Sequence, residues 1–249
     1  MSTGEGGRRV CLLTGAGGTL GSAFCRAYAG EYDIVAVCRN RRPDAVSQLE
    51  WYVDPLDPSG DLPENRSRVY VVYADLETDG EIDRVVDIAL ARYDRVDLLV
   101  NNAAYVGLHP HGLVDGDGSL RDVARHFDVN VAVPLRLSVA VAQRFWKHHD
   151  LENRAANRNV VNVSSLSASK VYPHAGQAVY AASKAALNQL TRHLAAEFGT
   201  FGVRANALAP NSFPAIVATE TVAEAIVRLD RESATGRILA VDAPPPGPR

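Results

Sequence analysis

The stretch Val10-Cys11-Leu12-Leu13-Thr14-Gly15-Ala16-Gly17-Gly18-Thr19-Leu20-Gly21 decides how the rest of the chain is read. Its first four residues form an unbroken apolar run bounded by Arg9 and Gly15, the pattern of a buried strand. Residues 20–30 then read as an amphipathic helix. Strand, glycine turn and helix in that order give a glycine motif a mechanism. Backbone stripped of side chains comes close to a pyrophosphate, and the first N–H groups of the helix point at it. An ordinary glycine-rich turn uses the same residue types, so the nucleotide reading leans on the strand and helix around it.

Working outward, further apolar runs read as strands at 33–38, 69–74, 97–100, 159–163, 203–207 and 237–241. Helical periodicity falls between them at 81–93, 120–149, 180–198 and 220–229. Strands alternating with helices predict an α/β fold, a doubly wound parallel sheet of about seven strands in a single domain. Residues 9–242 are assigned to that domain. Residues 1–8 read as a flexible N-terminus and 243–249 as a proline-rich tail that frays. Residues 43–68 are the least regular; a short helix is expected at 44–51, then a polar loop, and no function is read there. Residues 150–158 read as a polar connector.

The end of the second strand bears on the nucleotide. A carboxylate there takes the ribose hydroxyls of NAD, whereas an arginine accommodates the extra phosphate of NADP. Here the strand ends Val37-Cys38-Arg39, with Arg41 and Arg42 following and no acid, which favours NADP(H) over NAD(H). The third strand delivers Asp75-Leu76. The fourth stops at Asn101-Asn102-Ala103-Ala104, where asparagines serve either as turn formers or as ties between neighbouring strand ends. Asn130 is a poor residue for a helix interior, because its side chain competes for backbone hydrogen bonds. It marks either a local break that frees a carbonyl to hold water or a tolerated buried amide.

Chemistry enters with Tyr180-Ala181-Ala182-Ser183-Lys184. Tyrosine and lysine four apart share a helical face. An ammonium near a phenol favours phenolate, so the Tyr180 pKa is expected to fall and its hydroxyl to exchange protons with a substrate. A serine from the end of the fifth strand, Ser164, Ser165 or Ser167, would hold the same substrate oxygen. His109 and His111 lie two apart with no further ligand evident, so they read as a polar rim of the pocket, and no metal is expected.

Composition excludes other classes. Hydrophobic content is 47% and net charge −3, so no basic field suits nucleic acid. Cys11, Cys25 and Cys38 lie in apolar runs with no metal or disulfide spacing. No apolar run reaches membrane-spanning length and no signal peptide is seen, so a cytoplasmic, soluble protein is expected.

In this order the motifs resemble the short-chain dehydrogenase/reductase family from Val10 to Val241. The likeness rests on Thr14-Gly15 to Gly21, Asp75-Leu76, Asn101-Asn102-Ala103, Asn130, the serines after the fifth strand, Tyr180 with Lys184, and Pro210. It implies a Rossmann-type domain and hydride transfer between NAD(P) and a carbonyl or alcohol. It implies that Tyr180 is the general acid or base and that Lys184 binds the nicotinamide ribose and lowers the Tyr180 pKa. A serine would hold the substrate oxygen, and Asn130 would support a proton-supplying water chain. Gly15, Gly18, Thr19, Leu20, Gly21, Arg39, Asp75, Leu76, Asn102, Ala103 and Pro210 would join Tyr180 and Lys184 around the cofactor. A homodimer or homotetramer is implied as well.

Four departures qualify the likeness. Thr19 stands where a glycine or alanine is usual, and either donates its hydroxyl to a phosphate or crowds the site. Ala104 replaces a common glycine. The family's serine-to-tyrosine spacing points to Ser167, while the strand end points to Ser165; Ser165 is preferred, since a loop absorbs the difference. Finally, only about ten residues separate Pro210 from the last helix, too few for the usual substrate lid. That shortness predicts an open site for a bulky or carrier-tethered carbonyl substrate, or one completed by another subunit. The leading expectation is an NADPH-dependent ketone or aldehyde reductase. The alternatives are a non-catalytic nucleotide-binding scaffold, and a dehydratase or epimerase working through a transient keto intermediate.

Overall fold

The computed structural model describes residues 7–49, 67–114 and 121–243. The proline-rich residues 244–249, the first six residues and most of the 43–68 segment lie outside that set. Seven strands form one parallel sheet: β1 (Arg9–Thr14), β2 (Tyr32–Cys38), β3 (Val69–Tyr73), β4 (Leu98–Asn101), β5 (Asn159–Val163), β6 (Arg204–Pro210) and β7 (Ile238–Val241). Their order across the sheet is β3-β2-β1-β4-β5-β6-β7. The chain winds outward from β1 in one direction, then returns to β4 and winds in the other, so a topological switch lies between β1 and β4. β1 registers Leu12 against Val35 of β2 and against Leu99 of β4. The expected doubly wound, seven-stranded, single Rossmann-like domain is the observed one.

The inner strands are buried on both faces because helices cover both. On one face α1 (Thr19–Tyr28) and α7 (Thr219–Arg231) bury Leu20, Phe24, Val222 and Ile226 with Cys11 and Leu13 of β1. On the other, α2 (Glu81–Tyr93), α4 (Val133–Arg144) and α6 (Ala178–Phe198) bury Val85, Leu137 and Leu194 against Leu12 and Leu99. At the amino ends of the strands a polar layer closes the fold. Arg158 and Asp97 pair at 3.1 Å with both side chains buried, and Asp97 also accepts the Val10 N–H at 2.9 Å.

Three expectations need correction. The 120–149 helix is broken into α3 (Val123–Phe127), a π-helical turn (Asp128–Ala132), α4 and a short 3-10 turn (Trp146–His148). Asn130 sits in the π turn, where a side chain that competes with the backbone finds room. The supposed connector after His149 contains a helix, α5 (Asp150–Ala155), with Asp150 and Glu152 in its first turn, favourably placed on the helix dipole. No helix forms at 44–49; there the Gln48 side chain instead bonds Val71 of β3 through both its oxygen and its nitrogen.

Candidate active site

A cleft of about 520 Å³ lies across the switch between β1 and β4, at the carboxyl ends of the strands. Gly15, Gly18, Thr19 and Leu20 form one wall; Arg39, Asp75, Leu76, Asn102 and Ala103 form others. The nine sequence-predicted cofactor positions named here therefore converge. Gly21 is not a wall. A Cβ there would meet the Ala16 Cα at 2.5 Å, so its absence lets α1 sit against the turn. Pro210 ends β6 and likewise stands outside the cleft lining.

The turn is shaped by backbone crowding. Gly15 adopts φ +63°, and a Cβ on it would lie 2.9 Å from the Ala103 backbone. Gly17 is packed from the other side: a Cβ would strike the Arg41 carbonyl oxygen at 1.7 Å, while the Arg41 Nε donates to the Gly17 carbonyl at 2.6 Å. Asn102 donates its amide to the carbonyls of Thr14 and Gly15, both at 3.0 Å, and the Thr14 hydroxyl accepts the N–H groups of Asn102 and Ala103. The paired asparagines thus tie strand ends together; Asn101 does so deeper, donating to Asn162 at 2.8 Å.

The donor set fits a dinucleotide. Gly18, the N-cap of α1, provides no side-chain cap, so first-turn N–H groups stand at the cleft wall where a pyrophosphate would sit. Thr19, the first residue of α1, is exposed there and faces the cleft rather than the core.

Beyond the cleft lie the reactive groups. Tyr180 is in the first turn of α6, with Lys184 one turn on and its Nζ 5.8 Å from the phenol ring centre. The Ser165 side chain stands beside the Tyr180 phenol and works to lower its pKa. Ser167 donates both its N–H and its O–H to the Ser165 oxygen, at 3.2 and 2.9 Å, leaving the Ser165 proton to donate onward. Ser164 points away, donating to the Lys184 carbonyl at 3.2 Å. Of the three serines, Ser165 is the one beside the phenol, with Ser167 bonded behind it.

Lys184 does not lower the Tyr180 pKa in this structure. Burial raises that pKa, outweighing Ser165. The Lys184 ammonium donates to the Val163 carbonyl at 2.8 Å rather than reaching the phenol, and burial pushes it down to about 7. A half-neutral amine is a weak source of positive potential, which is why the spacing argument fails.

Asn130 is fully buried and uses its side chain three ways. Its oxygen accepts the Tyr105 N–H at 2.9 Å, and its amide donates to the Tyr105 carbonyl and to the Ser183 hydroxyl, both at 3.0 Å. Ser183 in turn donates to the Tyr180 carbonyl at 2.7 Å. The π turn is thereby fastened to the β4 loop and to α6. Ser183 was missed in the sequence reading, although its position three residues after Tyr180 puts it on the same helical face.

Other residues had no sequence signal. Glu77 follows Asp75-Leu76 and lines the cleft with Arg125 of α3 and Phe213. Phe213 belongs to the eight-residue segment between β6 and α7; it carries no helix, in line with the missing lid, and turns this ring inward onto the core. Asp242, just past β7, accepts from Lys170 at 3.0 Å and from Asn211 at 2.8 Å. The two histidines are not a rim. His111 is exposed, but His109 is buried, its backbone N–H on the Gly176 carbonyl and Asp122 3.8 Å from its Nε2. Among the described residues no three His, Cys, Asp or Glu side chains group as a metal site, and no helix is long and apolar enough to cross a membrane.

Comparison with known proteins agrees with this geometry. The family model described as short chain dehydrogenase matches residues 9–226. The Short-chain reductase protein NovJ of Streptomyces niveus is 31% identical over 226 residues, 90% of this chain and 76% of its own length. Protein FixR of Bradyrhizobium diazoefficiens is 40% identical over 114 residues; that match spans 45% of this chain and only 38% of FixR. Among solved structures, an oxidoreductase of the short chain dehydrogenase/reductase family from Brucella ovis, in complex with a partially ordered NAD, superposes with a TM-score of 0.67. It is 26% identical, and the match covers 95% of this chain and 100% of that one.

Proposed function

The chain belongs to the short chain dehydrogenase family, and with it to the NAD(P)-dependent oxidoreductases acting on CH–OH or C=O; from that premise we propose that it reduces a ketone or aldehyde to an alcohol with NADPH. The observation that carries the reading is the grouping of Ser165 beside the Tyr180 phenol, with Lys184 a turn away, next to a cleft at the sheet's switch point. A bound nicotinamide supplies the hydride. The protein's own residues handle the charge that builds on the substrate oxygen. Ser165 donates a hydrogen bond to it, and Tyr180 gives it a proton.

A phenol whose pKa burial has raised keeps its proton at neutral pH, which suits an acid in the reductive direction. Lys184, near neutrality at about 7, is able to pass a proton on as readily as to hold one, and it would bind the nicotinamide ribose. Asn130, locked to Tyr105 and Ser183, fixes the π turn whose backbone would hold the water that resupplies the phenol. Arg39, at the cleft wall after β2, supports NADPH over NADH. The short segment after β6 supports an open site for a bulky or carrier-tethered carbonyl compound. A cytoplasmic location and a homodimer or homotetramer belong to the same reading.

The test is Tyr180→Phe. Reductase turnover on a panel of ketones and aldehydes should fall by about a hundredfold or more, as loss of a general acid does, while NADPH affinity measured by nicotinamide fluorescence stays within about twofold. Unchanged turnover would reject the assignment. Absence of both turnover and nucleotide binding in the wild type would favour the scaffold reading.

A further inference from the structure

One carboxylate in the cleft is shared by two guanidinium groups from different parts of the chain. Arg39, just after β2, touches Glu77 through a single contact of 3.3 Å. Arg125, on α3, holds the same carboxylate with both prongs, Nε to one oxygen and Nη2 to the other, each at 3.1 Å. The Arg125 guanidinium also lies 4.5 Å over the Tyr105 ring, so it is fixed from a second side. Glu77 is held at its backbone, its N–H bonded to the Asp75 carboxylate at 3.1 Å. Arg39, Glu77, Tyr105 and Arg125 all line the cleft.

The two arms are unequal. A two-pronged guanidinium–carboxylate pair stacked on a ring is stronger than a single longer contact. When another anion competes, Arg39 is the arm that lets go. The anion expected at the end of β2 is a ribose 2′-phosphate, and an unpaired Glu77 would repel it and retain Arg39. We propose that Glu77 and Arg125 together set the discrimination between NADPH and NADH: Glu77 restrains Arg39, and Arg125 neutralises Glu77 so that Arg39 transfers to the 2′-phosphate. Arg125 is thus a positioning residue that acts through Glu77, not a phosphate ligand. The inference rests on the NADPH reading above.

The test is a double-mutant cycle read by nicotinamide fluorescence, with NADPH and NADH titrated separately into the full-length protein and no turnover required. Arg125→Ala should weaken NADPH by about threefold to fivefold, the scale of a partly exposed charge pair, and leave NADH within about 1.5-fold. Glu77→Gln should tighten NADPH by a similar factor. In the double variant NADPH affinity should return to that of Glu77→Gln alone, because Arg125 has nothing left to neutralise. A loss from Arg125→Ala that persists in the Glu77→Gln background overturns the inference in favour of direct phosphate contact. Equal loss of NADPH and NADH marks Arg125 as a mere wall of the cleft and overturns it too. Arg39→Ala separates this failure from that of the underlying reading. If wild type prefers NADH, or Arg39→Ala leaves NADPH unchanged, the NADPH assignment falls and this inference with it. If Arg39→Ala lowers NADPH selectively but neither Glu77 nor Arg125 alters the ratio, only this inference falls.

Discussion

Replacing Lys184 with methionine should flatten the pH dependence of stability in the nucleotide-free protein. The Lys184 ammonium is buried with one hydrogen bond, to the Val163 carbonyl, and burial lowers its pKa from 10.5 to about 7. At this site the unfolded chain therefore binds more protons than the folded one between those values, so the lysine's contribution to stability grows as pH climbs from about 7 toward 10.5. Linkage with these two values gives about 1 kcal/mol of added stability between pH 7 and 8. The interval stops there because the thiols oppose the trend. Burial raises Cys25 from 9.0 to about 12 and Cys38 to about 11, so above pH 9 the unfolded thiols ionise first and stability falls. Urea unfolding of wild type and Lys184→Met across the interval isolates the lysine, since all other titrations are common to both. The wild type should gain about 1 kcal/mol relative to the variant. Profiles parallel to within about 0.3 kcal/mol, the smallest difference such a pairing resolves, would refute the desolvated lysine and with it the argument that Lys184 is a poor partner for phenolate.

Other outcomes follow from the packing. Gly17→Ala should cost about 1–3 kcal/mol and weaken nucleotide binding, because the new Cβ meets the Arg41 carbonyl, a main-chain atom, at 1.7 Å; thermal unfolding with a nucleotide titration checks both effects. Asp97→Ala should destabilise by about 3–5 kcal/mol by stranding the buried Arg158 charge, a loss visible as a lowered urea midpoint. Ser183→Ala should cost about 1 kcal/mol and lower kcat more than NADPH affinity, because Asn130 loses its link to the helix that carries Tyr180.

How much of this was legible in the sequence depends on how local the cause was. The strands and the glycine turn were readable because each is a short run whose pattern has one structural solution. The convergence of Gly15, Arg39, Asp75 and Asn102 followed from placing strand ends along one sheet edge. The interruption at Asn130 could be suspected from an amide in an apolar helix, but its form, a π turn, depends on Tyr105 and Ser183 reaching it from elsewhere. The helix at Asp150–Ala155 was hidden by its polarity. The Tyr180 pKa was misjudged because four-residue spacing fixes which face a lysine occupies, not which acceptor captures it; the Val163 carbonyl lies on another element. Glu77 and Arg125 carry no local pattern at all, since their pairing joins a turn after β3 to a helix across the cleft.

The seam between β1 and β4 has a consequence for how the chain reaches its fold. Cys11 registers against Leu98, so this pairing closes a loop of more than eighty residues, whereas β1 and β2 are joined through a single helix. Loop closure makes such distant parallel pairings slow. Until β4 arrives, β1 offers an unpaired apolar edge able to recruit another chain. Nucleotide bound in the cleft during refolding would meet lining residues that follow both strands, Gly18 after β1 and Asn102 after β4. It should therefore raise the yield of soluble protein more than a stabilising osmolyte that gives the same final stability.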